Sequence, residues 1–312
     1  MTKTSYKASP IKTAAKVYKA SPIKKPLRAA RSTKAEMIQF RSDLLDIVSE
    51  MQPMTVRQVF YQATVRGFVN KSEAGYNKVQ INLVHMRRSG ELPYEWLADN
   101  TRWVRRPTTY DSVQAAIDDT ARFYRKALWR DIDSYVEVWL EKDALSGVVY
   151  PITSTYDVPL HVARGYASLS FLHGAAEYIK DLSIPAYIYH LGDFDPSGVN
   201  AGEKIEQTLR EMAPDADIIF ERIAVNEDQI SDLPSRPTKM SDSRSKGFGD
   251  ISVELDAIAP QDLRDLIETT IQRHLPIEQL EILQVAEASE RTMIRGLAAM
   301  ATQQTGEESQ YN

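Results

Sequence analysis

An apolar-rich run from Ala186 to Leu191 passes without a break into Gly192-Asp193-Phe194-Asp195-Pro196-Ser197-Gly198, and a helix-like run from about Asn200 to Met212 follows. A short apolar run bounded by turn residues has the length of a buried strand. The same grammar recurs around it. Strand candidates lie at Tyr135–Leu140, Leu160–Ala163 and Asp217–Ile223, and helical stretches lie near Ala144–Tyr150 and Leu169–Leu182. Strands alternating with helices predict βαβ units and a mainly parallel sheet. That restricts the segment 135–275 to a Rossmann-like α/β architecture.

Two of these strands end in acid. The first runs into Glu141-Lys142-Asp143 and the third into Asp193 and Asp195. Ligands of open α/β sheets bind at the carboxyl ends of strands, where neighbouring connections diverge. If the first and third strands are neighbours, Glu141, Asp193 and Asp195 converge. Converging carboxylates repel one another and need a cation, and oxygen ligands suit Mg²⁺ or Mn²⁺. The plainer alternative is that Asp, Pro, Ser and Gly here only turn the chain.

Upstream, Met37, Phe40, Leu44, Leu45 and Val48 recur at helical spacing before Pro53. Thr55 is a plausible N-cap for a second helix, Val56–Arg66, which Gly67 ends. A third helix runs from about Tyr76 to Arg88 and stops at Gly90. An extended stretch, Leu92–Trp103, and the basic Arg102-Trp103-Val104-Arg105-Arg106-Pro107 follow. Three short helices and an extended hairpin outline a winged helix-turn-helix over residues 35–108. Its groove-facing third helix would carry Asn77, Lys78, Gln80, Asn82, Arg87 and Arg88, with Arg105 and Arg106 beside it as DNA contacts. A small helical bundle without a ligand has the same outline. At about 100° per residue, Val56, Val59, Phe60 and Ala63 of the second helix form a buried face. Arg57 and Tyr61 then lie together, well off that face. A phenol beside a guanidinium can attack a phosphodiester if the phosphate charge is neutralised; a half-buried tyrosine with a stacking arginine is the structural alternative.

Asp111–Arg130 is expected to be a helix within a linker, residues 109–134. Residues 260–301 read as helices, and the chain closes in a C-terminal helix and polar tail over 276–312. Within Asp242–Gly249 and Val253–Ala257, Glu254 or Asp256 either faces the metal, fixes a dimer, or merely opens a helix after a basic loop.

The overall charge of −5 hides an asymmetry. Residues 1–35 carry ten Lys or Arg and no acid, and the unit Tyr-Lys-Ala-Ser-Pro-Ile-Lys occurs at Tyr6–Lys12 and again at Tyr18–Lys24. The remainder carries a net −15. Residues 1–34 therefore read as a disordered basic arm, able to neutralise phosphates without reading sequence or to act as a solubilising tail. The chain has no cysteine, which excludes disulfides and thiolate metal sites. Its five histidines show no zinc-ligand spacing. With no apolar membrane-spanning stretch and no signal-peptide pattern, no membrane partner is expected and the expected location is the cytoplasm.

Val138–Ala144 together with Leu191–Gly198 resembles the Toprim domain. Arg57-Gln58-Val59-Phe60-Tyr61 matches the Arg-x-hydrophobic-aromatic-Tyr motif that the A subunit of type IIB topoisomerases (topoisomerase VI) and its meiotic double-strand-break relatives carry in a winged-helix domain. The order of domains matches too, over roughly residues 36–275. The acidic motifs alone fit any Toprim enzyme, whereas the tyrosine motif narrows the choice.

The resemblance implies that Tyr61 attacks DNA and becomes linked to a 5′ phosphate, with Arg57 helping to hold the scissile phosphate. It implies that Glu141, Asp193 and Asp195 hold Mg²⁺, and that one protomer's tyrosine works with the other's metal site in a homodimer on double-stranded DNA. The ATPase of such systems resides on a separate B-type subunit, and this chain has no Gly-rich nucleotide loop. The chain is shorter than a typical A subunit, and the repeated arm is not a family feature. Such compact A-like chains resemble a stand-alone type found on mobile elements and phages. The expectation is thus a Mg²⁺-dependent DNA transesterase that cleaves and reseals DNA, or cleaves it alone. A Toprim nuclease using metal-activated water and a non-catalytic DNA-binding accessory protein remain as alternatives.

Overall fold

The computed structural model describes residues 33–98, 107–238, 248–275 and 277–308. The basic arm up to residue 32, Arg105 and Arg106 lie outside the described residues. So does most of the basic loop that precedes Phe248.

The chain opens with three helices, α1 (Lys34–Met51), α2 (Val56–Val65) and α3 (Glu73–Ser89). Each begins on a side-chain cap. Thr33 and Thr55 form reciprocal capping boxes with Glu36 and Gln58, and Ser72 caps α3. Gly90, in the left-handed conformation, ends α3. The expected hairpin after α3 takes another form in its described part. Tyr94–Trp96 is a 3-10 turn entered from Pro93, and the following residues make one parallel bridge, Leu97 to Met54. Residues 99–106 lie outside the described residues. The linker helix is also shorter than expected: α4 covers Val113–Phe123. It stops because the next residues are held by a distant helix. Arg291 donates to the Tyr124 carbonyl, and Glu287 accepts the Lys126 amide.

The second unit then alternates β1 (Tyr135–Leu140), α5 (Ser146–Thr155), β2 (Leu160–Val162), α6 (Leu169–Lys180), β3 (Ala186–Leu191), α7 (Pro196–Met212) and β4 (Ile218–Ala224). A hairpin-like pair follows, β5 (Ser235–Pro237) and β6 (Ile251–Val253), and then α8 (Pro260–Ile271) and α9 (Ile277–Glu308). The four longer-spaced strands form one parallel sheet in the order β2-β1-β3-β4, and β5 and β6 pair antiparallel. The architecture is mixed α/β with a parallel sheet, as the alternation predicts.

Period-two alternation distributes the strand side chains to two cores. Val136, Val138 and Leu140 of β1 and Tyr189 and Leu191 of β3 join a cluster with Phe40, Leu44, Val59 and Leu83 of the first three helices and with Leu255 and Leu263. Trp139 and Ile188 face the other way, against Leu172 and Ile179 of α6 and Ile205 and Leu209 of α7. The sheet is covered on both faces, as parallel sheets are. One core therefore runs from the three-helix unit into the sheet. Among the described residues no helix is long and apolar enough to cross a membrane.

One side chain links the two units with unusual economy. Thr55 Oγ1 accepts the Gln58 amide as the cap of α2 (3.1 Å) and donates to Asp256 Oδ1 in the second unit (3.0 Å). Thr55→Val keeps the shape and deletes both bonds, leaving a buried carboxylate oxygen short of a donor. It should lower the unfolding free energy by about 2 kcal/mol. Thr55→Ser should keep most of it. Urea unfolding of the three proteins checks this.

Candidate active site

The parallel register of β1 and β3 pairs Leu140 with Leu191, so the residues that follow emerge side by side. The Glu141 amide donates to the Leu191 carbonyl (2.9 Å), and the Asp193 amide donates to Glu141 Oε2 (3.0 Å). The expected convergence of Glu141 and Asp193 is thus present. Both neighbouring glycines are there for a reason. A Cβ on Gly192 would stand 2.6 Å from Glu141 Oε2, and one on Gly198 would stand 2.4 Å from the Asp193 carbonyl oxygen.

Asp195 does a different job. Its Oδ1 accepts the amides of Ser197 (3.0 Å) and Gly198 (2.8 Å), capping α7, and its Oδ2 pairs with Arg236 (3.1 Å). Asp193 Oδ1 accepts the Leu255 amide (2.8 Å) and lies 3.5 Å from Lys142 Nζ. Among the described residues no group of three His, Asp or Glu is gathered closely enough to cage a metal ion. Of the three carboxylates, Glu141 is the least engaged: among the described residues it accepts that one amide and has no ion pair within 4 Å. Burial, with Asp193 adding repulsion, raises the Glu141 pKa, and burial raises that of Asp193 against the pull of Lys142. Both groups resist ionisation, and their chemistry fits a hard divalent cation.

A second acidic pair, carried at the end of β6, faces the first. Asp256, 1% exposed, binds Thr55 and forms a short ion pair with Lys142. Glu254 Oε2 binds Arg57 (2.6 Å) and lies 3.6 Å from Lys142, while its Oε1 binds Arg236 (3.2 Å). The sequence left open whether this segment merely opened a helix; it is instead the floor of the site. Phe194 pairs with Val253 in both directions, which brings Glu254 and Leu255 alongside Asp193.

A cavity of about 540 Å³ lies between the two units. Arg57, Tyr76, Gln80 and Arg87 line its helical side, and Lys142, Asp193, Glu254 and Asp256 the other. Arg57 reaches it with its guanidinium 5.5 Å from the Tyr76 ring centroid.

Tyr61 is placed otherwise than a one-faced helix predicts. It is 3% exposed and does not line the cavity. Helix α2 is central: it packs against α1, α3 and the 3-10 turn Leu255–Ala257, so Gln58 through Ala63 are buried without a break. The Tyr61 ring lies against Phe60 and beneath the ammonium of Lys71, 5.2 Å from its centroid, and Lys71 also donates to the Ser235 carbonyl. Burial pushes the Tyr61 phenol well above its usual value. The Glu254 charge adds to that rise, and Arg57 and Lys142 oppose it.

On α3, Gln80 and Arg87 face the cavity, Lys78 packs its ammonium 4.1 Å from the Phe40 ring centroid, and Arg88 is exposed. Asn82 is a correction. It is buried, accepts from Arg41 and donates to the Lys78 carbonyl, so it serves the fold. The outward side of α3 also carries exposed Ile81 and Val84.

Arg222 was not foreseen. Its guanidinium donates to the carbonyls of Gly192, Asp193 and Gly198, fixing the acidic loop from behind. An arginine within the strand Ile218–Ala224, beside Glu221, was the available signal. Lys142 was visible between Glu141 and Asp143, but its partners lie 51 and 114 residues away.

No family model matches the sequence, and a search of curated proteins finds no match.

Gly198 sits in the first turn of α7, where alanine would normally stabilise a helix by about 1 kcal/mol. The Cβ would meet a backbone oxygen that cannot rotate away. Gly198→Ala should instead destabilise by about 1–3 kcal/mol, read as a lower midpoint in chemical denaturation.

Proposed function

We propose that this chain is a Mg²⁺-dependent DNA transesterase built from a winged-helix-like unit and a Toprim-like α/β unit, similar to the A subunit of topoisomerase VI. The observation that carries the reading is the meeting of Arg57, one helical turn from Tyr61, with the acidic strand ends across a single cavity. The motif resemblance at Arg57–Tyr61, Glu141 and Asp193–Asp195 supports it independently.

In this reading the Tyr61 oxygen attacks a DNA phosphorus. The phenol gives up its proton as the oxygen bonds to phosphorus, the bond from phosphorus to the 3′ oxygen breaks, the leaving oxygen takes up a proton, and the tyrosine keeps the 5′ phosphate. Arg57 neutralises phosphate charge with two or more donors in a plane. Glu141 and Asp193 would hold Mg²⁺, with Asp195 turning from its cap to join them. A bound Mg²⁺ supplies charge stabilisation at the phosphate oxygens. Lys78, Gln80, Arg87, Arg88, Arg105 and Arg106 would contact the duplex, and the basic arm would add salt-dependent affinity. Two protomers would cut two strands. An ATPase of B type, if strand passage occurs, would come as a separate subunit.

One observation favours a second reading. Tyr61 lies under Lys71 with its phenol held neutral, which suits a nuclease that uses metal-activated water. The two readings differ in their product. After incubation with double-stranded DNA and Mg²⁺ and quenching in denaturant, the transesterase leaves DNA covalently on the protein. Tyr61→Phe should abolish that adduct, and Arg57→Ala should slow its formation about 10²–10³-fold. Free ends that persist in Tyr61→Phe and vanish in Asp193→Ala would establish the nuclease instead.

The metal has its own readout. A carboxylate whose pKa is raised on folding favours the folded state while protonated and loses that contribution as pH rises through its folded pKa. Ionised Glu141 therefore costs stability at neutral pH. In chelator at pH 7.5, Glu141→Gln should melt at or above the wild type. Saturating MgCl₂ should raise the wild-type Tm by about 2–4 °C and the variant's far less. Equal gains in the two proteins would remove Glu141 from the metal set.

A further inference from the structure

We propose that the cavity between the two units is a phosphate-binding subsite whose resident anion is the chain's own Glu254. The chemical class of the ligand, a phosphodiester of a nucleic acid, rests on the function proposed above; the displacement of Glu254 rests on geometry alone.

The Glu254 carboxylate is 8% exposed and is held by cations on both oxygens: Arg57 at 2.6 Å, Arg236 at 3.2 Å and Lys142 at 3.6 Å. Among the described residues it accepts no hydrogen bond from a backbone amide or a neutral side chain. Its acidic neighbours differ. Asp193 is fixed by the Leu255 amide, Asp256 by Thr55 and Lys142, and Asp195 by the amides that open α7. Those three are built into the fold. Glu254 is bound only by charges that would bind another anion as well.

The consequences of its departure are uneven. Arg236 would keep Asp195, and Lys142 would keep Asp256. Arg57 has no other carboxylate within 4 Å among the described residues, so it is the cation set free, and it already faces the cavity. Arg87 lines the same space, and its Nε is buried with no acceptor among the described residues. A tetrahedral anion entering there finds two guanidinium groups lining the cavity, the donor type that recognises phosphate. Asp193 and Asp256 also face it, and both are already matched by Lys142 and by hydrogen bonds. The ligand gains only the difference between its own contacts and those of Glu254, so the carboxylate sets a threshold for binding.

The test uses the full chain in EDTA, with inorganic pyrophosphate as the probe. By calorimetry, Glu254→Gln should bind pyrophosphate about tenfold tighter than the wild type, and adding Arg57→Gln should erase the gain. Glu254→Gln should melt lower than the wild type without ligand, because Arg57 is left unpaired, and pyrophosphate should restore the difference. A merely structural ion pair would give the loss without the rescue. Pyrophosphate binding no tighter in folded Glu254→Gln, or a gain that survives loss of Arg57, would overturn the subsite. Should Glu254→Gln fail to fold, Glu254→Asp keeps the charge with a shorter reach and should show a smaller gain; no gain there overturns it equally. A 30-bp duplex in a parallel anisotropy titration separates the two ideas. A gain for both probes supports the nucleic-acid ligand. A gain for pyrophosphate alone leaves the subsite standing and overturns DNA as its occupant.

Discussion

The parallel pairing of β1 with β3 is the constraint from which the site follows. Residue-for-residue register from Tyr135–Ala186 to Leu140–Leu191 ends both strands at the same level. The next residues, Glu141 and Gly192, therefore sit side by side whatever else the chain does. Backbone bonds, from Glu141 to Leu191 and from Gly192 to Ala224, extend the alignment past the strands themselves. The carboxylates are then too close to be comfortable, and the structure is shaped by how that repulsion is relieved. Two glycines make room for the Glu141 side chain, Arg222 draws three loop carbonyls backward, and Lys142 places an ammonium between Asp193 and Asp256.

The same charges join the two units. Thr55 reaches Asp256, Arg57 reaches Glu254, and Arg264 of α8 donates to the carbonyls of Met51 and Pro53. Apolar packing between the units is extensive and non-directional. Buried ion pairs add little net stability over well-packed apolar groups, but breaking one by removing a single partner is costly. They fix the angle and register at which α2 meets the acidic strand ends.

How much of this was legible depends on sequence distance. The βα junction at Ala186–Gly198 was readable because strand, turn and helix signals are adjacent, and β3 has the bounds its apolar run implies. Thr55 as a cap was readable for the same reason. The one-sided picture of α2 failed because periodicity reports one apolar face, whereas a central helix is covered all round by elements from 34–51, 73–89 and 255–257. Tyr61 is amphipathic enough to satisfy either environment, so its burial left no mark. The partners of Lys142, Arg57 and Arg222 that build the site are set by tertiary pairing across 24 to 197 residues, and no local pattern encodes them. The strand pair β5–β6 was missed because three-residue strands so far apart in the sequence have no measurable alternation.

A chain that gathers this many acids must offset their repulsion, and it does so with its own cations. Lys142 lies beside Asp193, Arg236 beside Asp195, and Arg57 beside Glu254. Each pair lowers the energy of the ligand-free state and so raises what a metal ion or a phosphate must offer to enter. The cost is not symmetrical. On the proposed reading a divalent cation would compete with Lys142 at 3.5 Å from Asp193, would meet Glu141, which has no ion pair among the described residues, and would draw Asp195 from its cap and from Arg236. An anion has to break the 2.6 Å contact between Arg57 and Glu254. On the proposed reading, the charge of a cation held on the acidic side would favour an anion at the cationic side. Under that reading the two ligands would be coupled, with the metal lowering the threshold that Glu254 sets for the phosphate.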